Sequence, residues 1–305
     1  MVNKYHSIQN KETIKNGLMN VGAKPWVSKQ DRTKIAWTDT TFNIAWGCQK
    51  VSDGCKNCYA DHQSSGWPQG FGKNGKPALW GPGCESAKGM GWEVEQNRRI
   101  LSEANWKKPK AWNKQAIKNQ SIMLTFSSSM ADNFEDHPVI KRELKRLWKI
   151  IRATPSIHWQ LCTKRAERIL ESLPDDWFEF ENGYQNVWLG VSVESEKYAY
   201  RFNDYLATIP AVVRFVSFEP ALGPVHDAIN FENLDWCIVG GESGKNRRPF
   251  DQQWARDMQT KCKESDVAFF YKQDTAFRSS TNPYLDGKKH YDFPLLRKTK
   301  MRHMK

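Results

Sequence analysis

Short apolar runs recur along the chain from about residue 120, and each is followed by polar residues and then by a helical pattern. The strands predicted from these runs, together with one earlier run, are 34–41, 121–126, 157–162, 187–193, 212–218, 236–239 and 267–271. The helices predicted between them are 138–152, 164–172, 196–208 and 252–264. Continuous apolar strands that alternate with helices indicate a parallel sheet covered on both faces. Seven such strands predict a complete or partly open α/β barrel, with a doubly wound open sheet as the alternative.

Charged or hydroxyl side chains follow almost every predicted strand directly. Active sites of such folds lie at the carboxyl ends of the strands, so these side chains are candidates for a polar pocket there. They are Ser127, Ser128, Ser129, Lys164, Arg165, Ser192, Glu194, Glu219 and Glu242. Ordinary polar caps would explain single positions, but their repetition along the chain favours a pocket. Cys162 and Cys237, in contrast, lie inside apolar strands and are expected in the core.

Composition divides the chain into a central body and two basic ends. A stretch rich in Gly, Pro and Trp, residues 63–91, interrupts the rhythm and is predicted to be an insertion loop. The predicted organisation is a basic N-terminal arm at 1–33, a barrel at 34–275 that contains this insertion, and a basic C-terminal extension at 276–305. Residues 1–34 hold seven Lys and Arg against two acids, and residues 288–305 hold seven against one. The two ends therefore carry nearly all of the net charge of +12.

Two internal stretches are also basic, 98–118, in which Trp106 and Trp112 are interleaved, and 141–152, whose apolar residues have helical spacing. Basic residues with interleaved aromatics suit phosphate contact and base stacking, which makes DNA the expected partner. Solvated helix faces and solubilising tails are the alternative. No apolar run approaches the roughly 20 residues that span a bilayer. The N-terminus also lacks the apolar segment of a secretory signal, so a cytoplasmic location away from membranes is expected.

Three cysteines, Cys48, Cys55 and Cys58, have the spacing C-x6-C-x2-C just beyond the first predicted strand. In a chain without an export signal, such thiols indicate metal ligands rather than disulfides. Three thiolates can hold an iron–sulfur cluster and leave one iron open to an exogenous ligand. Alternatively, His62 or Cys84 completes a four-ligand zinc site. Neither is a convincing fourth ligand, which favours iron.

The three-cysteine loop after the first strand of an α/β barrel resembles the radical S-adenosylmethionine superfamily, and more narrowly a phage- and prophage-encoded family within it. The matching stretches run from about residue 34 to 273 and include GCQKVSDGCKNCYA, LWGPG, LTFSSSMADNFED, LCTKRAERI, WLGVSVE, RFVSFEPALGP, WCIVGGESG and FFYKQ. The cysteine spacing is longer than the usual C-x3-C-x2-C of the superfamily, and this longer spacing is expected within the narrower family.

The resemblance implies that Cys48, Cys55 and Cys58 ligate a 4Fe-4S cluster whose open iron chelates S-adenosylmethionine. One electron from an external donor of the flavodoxin or ferredoxin type then cleaves the sulfonium, and the resulting 5′-deoxyadenosyl radical abstracts hydrogen from the substrate. The residues that would hold S-adenosylmethionine are Ser127, Ser128, Ser129, Lys164, Arg165, Ser192 and Glu194. Candidate catalytic residues are Lys164, Arg165, Glu219 and Glu242, with packing at the barrel rim as the alternative for the two glutamates.

The function expected from this resemblance and from the basic charge is the modification or rearrangement of a base in phage DNA. A radical isomerase that acts on a hypermodified thymine is one example, and it would work in the cytoplasm of a phage-infected or lysogenic bacterial host. Three alternatives stay open. They are a photoproduct-lyase-like repair of pyrimidines, a radical enzyme for a small molecule or peptide, and a non-catalytic zinc protein that binds nucleic acid.

Overall fold

The structure, a computed structural model, describes residues 11–19, 21–61, 94–95, 98–278 and 281–296 of the 305-residue chain. Its strands are β1 (Thr40–Phe42), β2 (Ala45–Trp46), β3 (Val94–Glu95), β4 (Arg98–Ile100), β5 (Met123–Ser127), β6 (Ile157–Thr163), β7 (Val187–Ser192), β8 (Val213–Phe218), β9 (Trp236–Gly240) and β10 (Ala268–Gln273). Its α-helices are α1 (Lys11–Leu18), α2 (Glu103–Lys118), α3 (Pro138–Ala153), α4 (Ile169–Ser172) and α5 (Gln252–Glu264). The insertion predicted at 63–91 lies outside the described residues. Within those residues, no helix is long and apolar enough to cross a bilayer.

Seven strands form one parallel sheet in the order β1-β5-β6-β7-β8-β9-β10, so neighbours in the sheet follow one another along the chain. The sheet curls into a half-barrel whose two edges are β1 and β10. A doubly wound sheet would reverse its strand order at a switch point, and this sheet does not. The predicted parallel α/β sheet is therefore confirmed, in a form compatible with a partly open barrel.

The predicted strands from residue 121 onward agree with β5 to β10 to within two residues at each end. The prediction of a first strand over 34–41 is wrong for most of its length, because β1 spans only Thr40–Phe42. The carboxylate of Asp39 accepts hydrogen bonds from Leu124 N (2.8 Å) and Gly22 N (2.8 Å) and pairs with Lys24. Just before β1, the Asp39 side chain thus adds to a single backbone bond from Asp39 N to Leu124 O (3.1 Å).

The basic stretch 98–118 contains two elements that its sequence pattern does not predict. One is β4, the central strand of a small antiparallel sheet with the order β2-β4-β3. The other is α2, whose start is capped by Ser102, since its hydroxyl accepts from Asn105 N. Trp106 and Trp112 are only 2% and 7% exposed. The expectation that these rings stack on bases is therefore wrong, because they pack α2 against the protein interior.

Two of the four predicted helices are regular and two are not. α3 and α5 match their predictions to within one residue. In place of the helix predicted at 164–172, the structure has a 3₁₀ turn followed by α4. In place of the helix predicted at 196–208, it has two 3₁₀ turns on either side of a π-helix at Arg201–Tyr205. Arg201 is buried and donates to Ser192 O (2.8 Å) and Glu194 Oε2 (2.8 Å), which holds the π-helix against the end of β7.

The concave face of the half-barrel is filled with aromatic rings at the amino-terminal halves of the strands. Their centroids lie between 5.7 and 6.4 Å apart, and the rings belong to Trp37, Trp188, Phe215, Trp236 and Phe270. From the terminal segments, Ile14, Leu18 and Phe293 pack against this cluster. The described parts of the two predicted arms therefore close the amino-terminal end of the half-barrel, and the space that remains lies at the carboxyl ends.

The β10 edge of the sheet is covered by a segment near the C-terminus. Tyr271 N donates to His290 O (2.8 Å), and Asp292 N donates to Phe269 O (3.1 Å). Between them, the ring of Tyr291 stacks on that of Phe270 with a centroid distance of 4.4 Å. Because an uncovered edge strand can pair with another chain, this segment protects the sheet from association.

Candidate functional site

A pocket of about 1450 Å³ lies at the carboxyl ends of the parallel strands. Its position follows from a change of residue type along the strands. Inward-facing positions recur every second residue, and in β7 they change from Trp188 to Ser192. In β8 and just beyond it, they change from Phe215 to Ser217 and Glu219. The aromatic half of each strand builds the core, and the polar half lines the pocket.

The cysteine loop, defined here as residues 47–61, follows β2 and borders this pocket. Cys48, Cys55 and Cys58 are all partly buried, and all three line the cavity. Gly47 has φ 114°, a conformation that other residues rarely adopt, at the turn from β2 into the loop. A 3₁₀ turn over Asp53–Cys55 reverses the chain again. These two turns bring the three cysteines to a single cavity.

The beginning of the cysteine loop is held by Arg165 and Glu135. Arg165 Nη2 donates to Gln49 O (2.7 Å), and Arg165 Nη1 lies 3.5 Å from Cys48 Sγ. Glu135 Oε1 accepts from Gln49 N (2.7 Å). The guanidinium also pairs with Asp132 at 2.9 Å and is almost fully buried. Arg165 therefore positions the segment that carries Cys48, and it also lines the cavity.

The middle of the cysteine loop is held by Glu194. Ser52 Oγ donates to Glu194 Oε1 (2.7 Å), and the other carboxylate oxygen pairs with Arg201 (2.8 Å). At Gly54 there is no room for a side chain, since a Cβ would lie 2.4 Å from Glu194 Oε1. Lys164 Nζ lies 3.4 Å from the same oxygen. The Glu194 carboxylate is fully buried and thus supports the loop from behind.

The end of the cysteine loop is held by Glu242. Asn57 Nδ2 donates to Glu242 Oε2 (3.0 Å), and Arg248 N donates to the same oxygen (2.8 Å). Arg248 Nη1 also donates to Asp53 O (3.0 Å). Burial alone would raise the pKa of Glu242, but the hydrogen bonds from Arg248 and Asn57 outweigh it and hold the pKa below its ordinary value. Glu242 therefore acts as an ionised anchor.

The other predicted residues face the cavity, with one exception. Those that line it are Ser128, Ser129, Lys164, Ser192 and Glu219. Glu219 pairs with Lys272 Nζ at 2.7 Å. Ser127 is fully buried, and its hydroxyl accepts a hydrogen bond from Asn133 Nδ2 (3.2 Å), so it lies outside the lining. The polar strand ends thus include residues that support the cysteine loop, of which Arg165 and Glu242 also line the pocket, and residues that only face the pocket.

Cys162 and Ser217 are among the cavity residues that were missed from the sequence. Cys162 was expected in the core, but it is only partly buried and lines the pocket, with its Sγ 3.7 Å from Ser192 Oγ. Ser217 lines the pocket as well. Both lie on inward-facing positions near a strand end, and counting every second residue back from the polar ends would have found them. The expectation for Cys237 is confirmed, since it is 0% exposed.

Burial favours the neutral thiol form of Cys48 and Cys58. Burial raises the pKa of both Cys48 and Cys58 above the ordinary value of 9.0. Burial also raises the pKa of Cys162, to about 12. Metals bind the thiolate form, so a metal that binds Cys48 and Cys58 has to displace their protons.

The cysteine loop offers three thiols as the donor set for a metal centre. Within the described part of the chain, no three His, Cys, Asp or Glu side chains are grouped closely enough to hold one metal ion. A tetrahedral zinc ion needs its sulfur ligands about 3.8 Å apart, given Zn–S bonds of about 2.3 Å. An iron–sulfur cluster takes thiolates at separate irons, and three thiols that line one cavity are a donor set of this chemical type. His62 and Cys84, the predicted further zinc ligands, lie outside the described residues.

Fold and site together define a parallel α/β half-barrel protein with a three-cysteine loop at the carboxyl ends of its strands. Residues 32–302 match the family described as "Protein of unknown function (DUF5131)", and the chain belongs to this family. No curated protein and no solved structure matches the chain.

Proposed function

We propose that the protein is a radical S-adenosylmethionine enzyme with a 4Fe-4S cluster bound by Cys48, Cys55 and Cys58. The observation that carries this proposal is the convergence of three thiols from one short loop on a single cavity at the carboxyl ends of the strands. The volume of about 1450 Å³ exceeds the roughly 300–1,000 Å³ usual for one ligand, which leaves room for a cofactor and a substrate together. When bound, the cluster supplies one electron to S-adenosylmethionine, whose cleavage provides the radical that abstracts hydrogen from the substrate.

Four cavity side chains are suited to bind and orient S-adenosylmethionine. Lys164 lies beside the cysteine loop, and its ammonium group is apt for the methionine carboxylate. Ser128, Ser129 and Ser192 present hydroxyl groups, which can both donate and accept, to the amine and the ribose. These residues come from the ends of β5, β6 and β7, which are neighbours in the sheet.

The charged residues of the other strands take two different roles. Glu219 and Lys272 form an ion pair in the cavity wall and are assigned to polar atoms of the adenosine or of the substrate. Arg165, Glu194 and Glu242 are assigned to positioning the cysteine loop, because their side chains are already bonded to it or to its supports. A loop held at three points keeps the spacing of its thiols fixed.

The substrate that we propose is a base of phage DNA, which the enzyme modifies or rearranges, for example as an isomerase of a hypermodified thymine. A net charge of +12 and a pI of about 9.3 support a polyanionic substrate. An external donor of the flavodoxin or ferredoxin type would supply the electron. Analysis of the nucleoside products distinguishes an isomerase from a lyase that repairs pyrimidine photoproducts.

Anaerobic purification and reconstitution with iron and sulfide test the proposal. We expect a brown protein with about four irons per chain that releases 5′-deoxyadenosine when dithionite and S-adenosylmethionine are added. Cys48→Ala is expected to lose the iron and the release of 5′-deoxyadenosine, because it removes one of three ligands.

Cys262→Ser is the matched control, since Cys262 is buried in α5 and does not line the cavity. It is expected to keep both properties. Full activity of Cys48→Ala would rule out the cluster-based mechanism. A colourless protein with one tightly held zinc would contradict the enzyme proposal and would indicate a zinc-stabilised binding protein instead.

A further inference from the structure

Two chain segments flank the gap between the β1 and β10 edges of the half-barrel. On the β1 side lies segment 30–35, which a bridge between Arg32 and Thr40 joins to the edge strand. On the β10 side lie the loops after β9 and β10, which are joined by a hydrogen bond from Gly244 N to Ala276 O (3.1 Å). Residues of both segments line the same cavity. A ligand that enters through this gap passes between them.

The exposed charged residues that line the cavity are all basic within the described part of the chain. They form what we call the cationic mouth, which consists of Arg32, Lys34, Lys50, Lys108, Lys245 and Arg278. The acidic residues of the lining lie deeper and are ion-paired, and they are Asp31, Asp132, Glu219 and Glu242. The entrance therefore presents a positive field that its own acids do not cancel.

Lys245 and Arg278 are the members of the mouth best placed to take an external anion. Lys50 pairs with Asp61 and Lys108 with Asp31. Lys245 and Arg278 are exposed, and neither has an ion-pair partner among the residues that the structure describes. They follow β9 and β10, at one side of the gap.

An aromatic ring stands next to these cations. Phe277 is 65% exposed although it is apolar, and it lines the cavity beside Arg278. A track of cations with an aromatic ring on which a base can stack is typical of sites for single-stranded nucleic acid. The exposure of Phe277 is explained if a base covers it.

The location of the thiols decides which form of the strand can react. Cys48, Cys55 and Cys58 are partly buried in the cavity wall, whereas the mouth is exposed. A base inside a duplex is stacked and cannot reach such a position, but an unpaired base reaches it at little cost. A nucleotide in an unpaired strand can leave its phosphates at the mouth and extend its base inward.

We propose that the cationic mouth binds the phosphates of an unpaired nucleic-acid strand at Lys245 and Arg278, with Phe277 stacked on one base while a neighbouring base enters the cavity. This inference deepens the proposed function and depends on it for the reaction of the inserted base. Binding of the strand requires only the cationic mouth and does not depend on the radical reaction.

Fluorescence anisotropy with a labelled single-stranded oligonucleotide of mixed sequence tests the proposal on the reconstituted protein. The salt concentration is varied from roughly 50 to roughly 300 mM, a range over which counterion release changes the affinity strongly. The K245A/R278A double variant removes two phosphate contacts. We expect its slope of log affinity against log salt to be shallower by about 1.4 and its affinity to be about 25-fold weaker at about 0.1 M salt.

K261A/K263A is the matched control, because both lysines lie near the end of α5, outside the basic stretches, and neither lines the cavity. It removes the same charge and is expected to keep the wild-type slope. Phe277→Ala is expected to bind about tenfold more weakly with an unchanged slope, because it removes stacking but no charge. A duplex of the same sequence is expected to bind more weakly than the single strand.

Equal slopes for K245A/R278A and its control would overturn the proposal that the cationic mouth binds the phosphates. Tighter binding of the duplex than of the single strand would overturn it as well. The release of 5′-deoxyadenosine by the wild-type protein without oligonucleotide is scored separately. A protein that cleaves S-adenosylmethionine but binds the strand independently of Lys245 and Arg278 refutes this inference alone. A protein that binds through these two residues but never cleaves S-adenosylmethionine refutes the radical enzyme alone.

Discussion

Gly54 brings the backbone of the cysteine loop into direct contact with Glu194. A Cβ at this position would lie 2.4 Å from Oε1 and 2.6 Å from Cγ of Glu194. The glutamate cannot withdraw easily, because Arg201 and Ser52 hold its two oxygens. Glycine is therefore required here for close approach, and this requirement couples the loop between Cys48 and Cys58 to the end of β7.

Gly54→Ala is expected to displace the cysteine loop and to lower the iron retained after reconstitution, with a loss of unfolding free energy of about 1–3 kcal/mol from overpacking. Iron assays and urea unfolding measure the two effects. Gly223→Ala is the control, since a Cβ there meets only Ser195 Cβ at an ordinary 3.6 Å. Wild-type iron content in Gly54→Ala would show that the loop does not depend on this contact.

Arg165 shows why a residue's chemical type does not reveal its role. As a bidentate donor it was a candidate for the methionine carboxylate, yet its guanidinium contacts Asp132, Glu135, Gln49 O and Cys48 Sγ. These partners come from two separate parts of the chain, 48–49 and 132–135. A guanidinium can satisfy many acceptors, and only their positions decide which ones it serves.

At the scale of elements, the sequence pattern was sufficient to locate a strand or helix wherever one residue type dominated a run. β5 to β10 were located because buried parallel strands are continuously apolar. α2 was missed because its many lysines hide the buried face that includes Trp106 and Trp112. The segment 196–208 was predicted as one helix, but the burial of Arg201 against Glu194 converts its centre to a π-helix.

The loop after β9 provides a prediction of pH dependence through Glu242. Because its pKa in the folded state lies below the ordinary 4.5, ionised Glu242 stabilises the fold above pH 4.5, and this stabilisation is lost as the pH falls through the lowered value. Glu242→Gln is expected to flatten the fall of the unfolding free energy below pH 4.5, measured by urea unfolding at several pH values.

Glu181→Gln is the control for this experiment, because Glu181 is exposed in the loop before β7. It is expected to keep the wild-type pH profile. A Glu242→Gln profile that parallels the wild type below pH 4.5 would show that the anchor at Asn57 and Arg248 does not depend on the charge of Glu242.

At the scale of the whole molecule, the two ends of the described chain determine where the cavity lies. α1 and the segment around Phe293 close the concave face at the amino-terminal ends of the strands. The ring of Phe293 lies 5.4 Å from Trp236 and 5.7 Å from Phe270, centroid to centroid. The carboxyl ends consequently remain open to ligands.

Phe293→Ala is expected to lower the free energy of unfolding by about 2 kcal/mol, less than the 3–5 kcal/mol typical of a fully buried Phe, because the ring is half-buried. Urea unfolding measures the change. Leu295→Ala is the matched control two residues away, and with 88% exposure it is expected to have little effect. Equal losses in both variants would show that Phe293 does not close the half-barrel.

The sequence by itself determined the parallel α/β sheet, the polar strand ends and the spacing of the three cysteines, because each depends on residue types that are close together along the chain. Only the tertiary structure decided which polar groups hold the cysteine loop and which face the cavity. Ser52 and Glu194 are 142 residues apart, and Asn57 and Glu242 are 185 apart. Such pairs form only when the curled sheet brings its strand ends together, so their roles follow from folding over long distances rather than from local pattern.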